Sequence, residues 1–340
     1  MAQGKKIIRY TFITVLAILS FLTWRIFGSN TNFEEDKKNV YIKTGSTFLR
    51  VAKELNNKGV VTNTKSFSLL AKFFGYKQNI KPGKYVFEKG ASLYTILKTL
   101  KSGNQTPVNL VINKLRTRED FAEKIAANFE CDSETVINFL KSNDSLAAFN
   151  LDSNTVMTAI IPNTYSLIWN TSFPKIFRRL YTEQQKFWNG ERKKKAAATG
   201  LTPQQVYTLA SIVEEETNKE QDKGLIASVY MNRIAAGMKL QADPTVKFAM
   251  KNFGLKRILL KHLSFDSPFN TYLNAGLPPG PICTPSTKTI DAVLNAPQTN
   301  YIYFVAKPDW SGLSNFCQSY TEHMVNAKNY QHFLDSVNIK

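Results

Sequence analysis

The sequence predicts an α+β protein: an N-terminal transmembrane helix, a small strand–helix–helix–strand module, and a larger α+β domain built mainly of helices. Three observations carry this. An apolar stretch from Ile7 to Phe27 holds charge only at Arg9 and Arg25, near its two ends. Short β-branched and aromatic runs, such as Val40-Tyr41-Ile42-Lys43, are bounded by turn residues. Between them lie segments of helical periodicity with capping residues at their starts. The 340 residues, 43% of them hydrophobic, are enough for two domains of roughly 100–200 residues each.

The first element is the anchor. A helix of about 20 apolar residues spans the hydrocarbon core, and the arginine stems can snorkel so that only the guanidinium groups reach the interface. A cleaved signal peptide would have a shorter apolar region closed by a small-x-small site. This run instead ends Thr-Trp-Arg-Ile-Phe-Gly, with Trp24 suited to an interface. Lys5, Lys6 and Arg9 favour an N-terminus inside and the remainder outside the cytoplasmic membrane. The net charge of +18 favours polyanions. On the outer face these are lipid headgroups or cell-wall polymers, and nucleic acid is excluded as a partner.

Asn30 to Asn39 is polar and reads as a linker. Next come the strand at Val40, a helix capped by Ser46 and closed at Gly59, and a second helix from Asn63 to Gly75. A strand Lys84–Phe87 follows the Pro82-Gly83 turn, and Ser92 caps a third helix. This order resembles a LysM-like module, a fold known to bind the N-acetylhexosamine backbone of peptidoglycan; a small subdomain without a ligand fits the same pattern. The predicted segments are 1–29 for the cytoplasmic tip and anchor, 30–39 for the linker, 40–106 for the LysM-like module and 107–340 for the large domain. Within the last, Val108–Ile112 reads as a strand, a helix starts near Thr117, and Ile160–Tyr165 reads as a hydrophobic run into a turn. Ile176–Lys195 reads as one basic helix with a solvated face. Cys131, Cys283 and Cys317 lack CxxC spacing, and His262, His323 and His332 are the only histidines. Neither a zinc site nor an essential disulfide is indicated, and no organic cofactor is called for.

The chemistry concentrates after Thr202-Pro203, a capping hydroxyl followed by proline in the first helical turn. Leu209, Ile212 and Val213 form an apolar stripe, and Glu216 lies at +7, +4 and +3 from them, in line with it. Glu214 and Glu215 fall off the stripe. An apolar setting, with two neighbouring glutamates, would raise the Glu216 pKa and suit it to general acid catalysis. The same pattern also fits a helix end pairing with a surface lysine.

The surrounding residues resolve the choice. Ala210-Ser211-Ile212-Val213-Glu214-Glu215-Glu216-Thr217, Asn232-Arg233-Ile234, and Gly237-Met238-Lys239-Leu240-Gln241-Ala242-Asp243-Pro244-Thr245-Val246 follow one another. Then come Ser267-Pro268-Phe269-Asn270-Thr271-Tyr272, Gly276-Leu277-Pro278-Pro279-Gly280-Pro281-Ile282 and Tyr301-Ile302-Tyr303-Phe304-Val305. In this order, together with Ile161–Tyr165, they resemble the MltG/YceG family of endolytic murein transglycosylases over nearly the whole chain after the anchor. The resemblance implies that Glu216 is the catalytic acid. It makes Asn232, Arg233, Gln241, Asp243, Thr245, Asn270 and Tyr272 candidates for a saccharide cleft, although Asp243-Pro244 also fits a turn and Asn270 a cap. It implies cleavage of the MurNAc-β-1,4-GlcNAc bond of nascent strands to 1,6-anhydro ends, work beside peptidoglycan synthases, and control of strand length. A hydrolytic muramidase using Asp243, or a non-catalytic peptidoglycan-binding scaffold, are the alternatives. One departure stands out: Ser314 occupies a position where the family often has histidine, while Glu322-His323 is retained.

Overall fold

The computed structural model of the chain describes residues 2–336, with side chains from residue 6 onward. Met1, the Lys5 side chain and residues 337–340, which belong to the predicted first and last segments, lie outside the described residues. The fold is α+β, and its residues gather into two compact units. One comprises Met1–Asn109 with Asn128–Glu130 and Ser166–Ser172; the other comprises Leu110–Ala127, Cys131–Tyr165 and Phe173–Lys340.

The first unit begins with α1 (Ala2–Phe27). Its segment Lys6–Phe27 is long and apolar enough to cross a membrane, and none of it is buried. Strand β1 (Lys37–Ile42) leads to α2 (Phe48–Asn57) and α3 (Thr64–Phe73), then to β2 (Gly83–Glu88) and α4 (Leu93–Ser102). β1 and β2 are antiparallel, in register from Lys37 opposite Glu88 to Ile42 opposite Gly83. Alternation puts Val40, Ile42, Tyr85 and Phe87 inside, against Val51, Leu55, Phe67, Ile96 and Leu100 of the helices. The three helices are capped by Thr47, Asn63 and Ser92, each accepting a backbone N–H from the first turn. Such a cap stabilises by about 1 kcal/mol. Thr47 takes the role expected of Ser46. The expected linker is ordered at both ends: β1 starts inside it at Lys37, and buried Asn30 accepts from the Thr62 N–H and hydroxyl.

In the second unit the chain runs β3 (Val108–Ile112, which begins just before it), α5 (Arg118–Asn128), α6 (Ser133–Lys141) and α7 (Asn143–Ala147). It continues through β4 (Asn163–Leu167), α8 (Phe173–Phe187), α9 (Gly190–Ala198), α10 (Pro203–Glu216), α11 (Glu220–Ala235), α12 (Asp243–Ala249) and α13 (Leu260–Leu263). The last elements are α14 (Thr287–Leu294), β5 (Tyr303–Ala306), β6 (Ser314–Cys317) and α15 (Tyr320–Ser336). Helix α10 is the axis of the unit and packs on α9, α11, α12 and α14. Val206 to Val213 are all buried, so the helix is enclosed on every side rather than along the one stripe its periodicity displayed. A capping box of Thr202 and Gln205 starts it.

The strands of this unit form two separate two-stranded sheets, β3 with β4 and β5 with β6. Two expectations are revised here. The Ile160–Tyr165 run continues into strand β4 rather than a turn. The basic stretch breaks at Asn189, which caps α9, and Arg192 forms a part-exposed bidentate pair with Asp291 at 2.8 and 2.9 Å.

Candidate active site

Glu216 is the last residue of α10, and the structure separates it from its two acidic neighbours. Glu215 pairs with Lys114 at 3.1 Å and Arg116 at 3.0 Å. Glu214 accepts from Ser286 and Thr289 and lies 3.5 Å from the buried Lys223. Glu216 forms no ion pair among the described residues. It accepts one hydrogen bond, 2.6 Å from the Tyr230 hydroxyl of α11.

The surroundings raise the Glu216 pKa from 4.5 to about 7. Burial is the main cause and the nearby charge of Asp243 adds to it, while the Tyr230 hydrogen bond, Arg233 and Lys247 oppose the rise. Its carboxyl is surrounded by protein, although the residue as a whole is only partly covered. The carbonyl end of α10 acts in the same direction as burial. Sequence reasoning had assigned the neighbouring-charge effect to Glu214 and Glu215; both are turned to partners of their own, and Asp243 supplies it instead.

The other sequence-selected residues divide into those facing solvent and those building the frame. Asp243 begins α12 and is exposed; its Oδ1 accepts the Tyr272 hydroxyl at 2.7 Å. Burial and this bond to Asp243 push the Tyr272 pKa up. Gln241 is exposed, with φ at 51°, and its N–H donates to the Thr271 carbonyl. Beneath them, the Thr245 and Thr271 hydroxyls meet at 2.9 Å and both are buried. Thr271 also accepts from the Ala242 N–H. Asn270 is fully buried: its amide donates to the Leu263 and Phe265 carbonyls, and its oxygen accepts from the Tyr272 N–H. The two motifs that contain these residues are thus stitched together so that Asp243 and Tyr272 project as a pair.

Asn232 and Arg233 hold the other side of the frame. The Asn232 amide donates to the Thr299 and Tyr301 carbonyls. Arg233, 7% exposed, donates to Ile302 and Leu240 carbonyls at 2.7 and 2.6 Å, and its guanidinium lies 5.4 Å from the centre of the Tyr303 ring. Thr245, Asn270 and the Asn232 side-chain nitrogen therefore spend their hydrogen bonds on the protein itself. The Pro278–Ile282 segment is likewise structural: Ile282 N–H donates to the Ser211 hydroxyl of α10. Gly280 lies so close to Asn154 that an added Cβ would stand 2.0 Å from its carbonyl oxygen.

Tyr230 was not singled out from the sequence. A hydroxyl set among buried apolar positions needs a partner, which is the signal that could have singled it out. Lys247 carried no such signal. At the Ser314 departure, the backbone N–H donates to buried Asp222 at 2.7 Å, fixing the start of β6 without using the side chain. His323 stacks on Tyr303 at 5.1 Å, and burial, with Arg233, lowers its pKa. Among the described residues no three His, Cys, Asp or Glu side chains gather as a metal-holding group.

Comparison with known proteins gives a consistent result. The YceG-like family model matches residues 40–329. The endolytic murein transglycosylase of Bacillus subtilis (strain 168) is 30% identical over 312 residues, covering 85% of this chain and 84% of that protein. The protein of the same name from Streptococcus pneumoniae serotype 2 (strain D39) is 28% identical over 306 residues; the match covers 78% of this chain but 54% of the longer relative. The crystal structure of a YceG-like protein from Listeria monocytogenes superposes with a TM-score of 0.57 at 27% identity, covering 86% of this chain and 99% of that one.

Proposed function

This chain belongs to the YceG-like family and is a lytic transglycosylase; from that premise we propose that Glu216 is its acid and that it cuts inside peptidoglycan strands. The observation that carries the residue assignment is a carboxyl on a partly exposed residue whose pKa is raised to about 7. At neutral pH about half of such groups hold a proton to give away.

The reaction follows from one carboxyl acting twice. Glu216 donates its proton to the oxygen linking MurNAc C1 to GlcNAc, and the C1–O bond breaks with oxocarbenium character at C1. The resulting carboxylate then takes the proton from the 6-hydroxyl of the same MurNAc. That oxygen closes on C1, leaving a 1,6-anhydro end, and no water is added. The nucleophile is intramolecular, so no second carboxylate at the separation of a two-carboxylate glycosidase is needed. Asp243 keeps Glu216 protonated through its charge, and Tyr230 steadies the carboxylate formed midway. Tyr272, partly exposed beside Asp243, offers a face for a sugar ring; Gln241 and Asp243 offer polar contacts to hydroxyl and acetamido groups.

In this reading α1 anchors the enzyme in the cytoplasmic membrane with residues 107–340 outside as the catalytic domain. Residues 40–106 serve as a LysM-like contact to the wall, and peptidoglycan synthases are the working neighbours whose nascent strands are kept short. The test is mass spectrometry of strands treated with the wild-type protein and with Glu216→Gln. Internal cuts ending in 1,6-anhydroMurNAc, lost in the variant, are the expected result. Ends one water heavier would transfer the reaction to a hydrolytic muramidase with Asp243 activating water. Intact strands from a folded wild-type protein would leave a wall-binding scaffold.

A further inference from the structure

We propose that α3 is a membrane-interface helix whose groove against the end of α1 takes up an acyl chain of an anionic phospholipid. The inference rests on the reading that α1 spans the bilayer. Leu69 and Phe73, one helical turn apart on α3, are 72% and 84% exposed. Side chains of this size left bare on a folded unit mark a surface that meets something apolar.

Position identifies the occupant. The groove, of about 650 Å³, is lined on one side by Phe21, Leu22 and Ile26 of α1 and on the other by Leu69, Leu70 and Phe73 of α3. The α1 residues belong to the segment apolar enough to span. Any side chain that shares a groove with them lies at their depth, so α3 enters the interface wherever α1 crosses it. The two helices are tied there: Arg25 donates to the Ser66 hydroxyl at 3.1 Å, and Phe27 packs on Tyr94 with ring centres 5.3 Å apart.

Charge fits the same occupant. Lys65 and Lys72 are exposed on α3 beside Leu69 and Phe73, the arrangement of an amphipathic helix lying on a lipid surface. Past Phe74 and Tyr94, which line both, the groove meets a second cavity of about 330 Å³ lined by Lys98, Lys101 and Ser102. An acyl chain along Leu69 and Phe73 would place its phosphate within reach of these two ammonium groups, and anionic headgroups are held by such clusters. Among the described residues, no acidic side chain lines either cavity.

The test uses the full chain, one per lipid nanodisc containing phosphatidylglycerol. Spin labels are placed at Leu69→Cys and Phe73→Cys in a Cys131→Ser background, since Cys283 and Cys317 are buried. Collision with oxygen, which concentrates in lipid, is compared with collision with a water-soluble nickel chelate. Leu16→Cys marks the centre of α1, and exposed Lys175→Cys marks bulk water. The expected oxygen-to-nickel ratio at 69 and 73 is several-fold above that at 175 and below that at 16, as befits a site level with the end of α1. It falls at 73 when phosphatidylglycerol is replaced by phosphatidylcholine or when Lys98 and Lys101 are both changed to Glu. A water-like label at 73 beside a lipid-like label at 16 overturns the interface helix and leaves the anchor standing. Water-like labels at both sites remove the anchor itself. Labels shielded from both reagents only when two chains share a disc would assign the groove to a second copy instead.

Discussion

Replacing Glu216 by Gln removes a carboxyl whose pKa rises strongly on folding, and the consequence for stability has a definite sign. The unfolded chain releases this proton near pH 4.5, and the folded chain holds it to about 7. Below 4.5 both states are protonated and the carboxyl costs nothing. Between 4.5 and 7 the folded state binds a proton that the unfolded state has lost, so this group's contribution to stability declines as pH rises. Above 7 the loss is complete. Two and a half units correspond to about 3 kcal/mol. The variant should therefore match wild type at pH 4 and exceed it by up to about 3 kcal/mol at pH 8. For a unit of this size that shifts the melting midpoint by on the order of 6–10 °C. Glutamine keeps an oxygen to accept the Tyr230 hydroxyl bond, so the comparison isolates the charge. Denaturation of both proteins in the same detergent at pH 4, 6 and 8 measures the difference, and the effects of titrating groups that do not interact with Glu216 cancel within each pH. An equal offset at pH 4 and pH 8 would refute the raised pKa and the acid role built on it.

Other expectations follow from the same geometry. Tyr230→Phe removes the bond that favours the Glu216 carboxylate, so the alkaline limb of the pH–rate profile should move to higher pH as turnover falls. Asp243→Asn removes the charge that favours the protonated form, so that limb should move to lower pH while products keep their 1,6-anhydro ends; a change to reducing ends would contradict the single-carboxyl mechanism. Asn270→Ala strands two backbone carbonyls and a backbone N–H in the frame under Tyr272. It should cost about 2–4 kcal/mol in denaturation measurements, where an exposed binding residue would leave stability unchanged.

Much of this molecule is readable from local rules. The caps at Asn63, Ser92 and Thr202 and the apolar run of α1 depend only on near neighbours in the chain, and the sequence displays them directly. Helical spacing placed Glu216 in line with Leu209, Ile212 and Val213, because 3.6-residue periodicity is a property of the backbone. The order of motifs pointed to the family that the comparisons show. Tertiary structure decided which polar residues are available for chemistry. Asn232, Thr245 and Asn270 look like sugar-binding residues in sequence, yet their hydrogen bonds go to Thr299, Tyr301, Thr271, Leu263 and Phe265, partners 5 to 69 positions away. Glu214, Glu215 and Glu216 are adjacent in the chain, and a helix turns about 100° per residue; each therefore meets a different environment, two finding cations and one finding Tyr230. No pattern in the sequence carries the Tyr230 hydroxyl to Glu216 or Asp243 into its field, because those relations arise only when α10, α11 and α12 pack together.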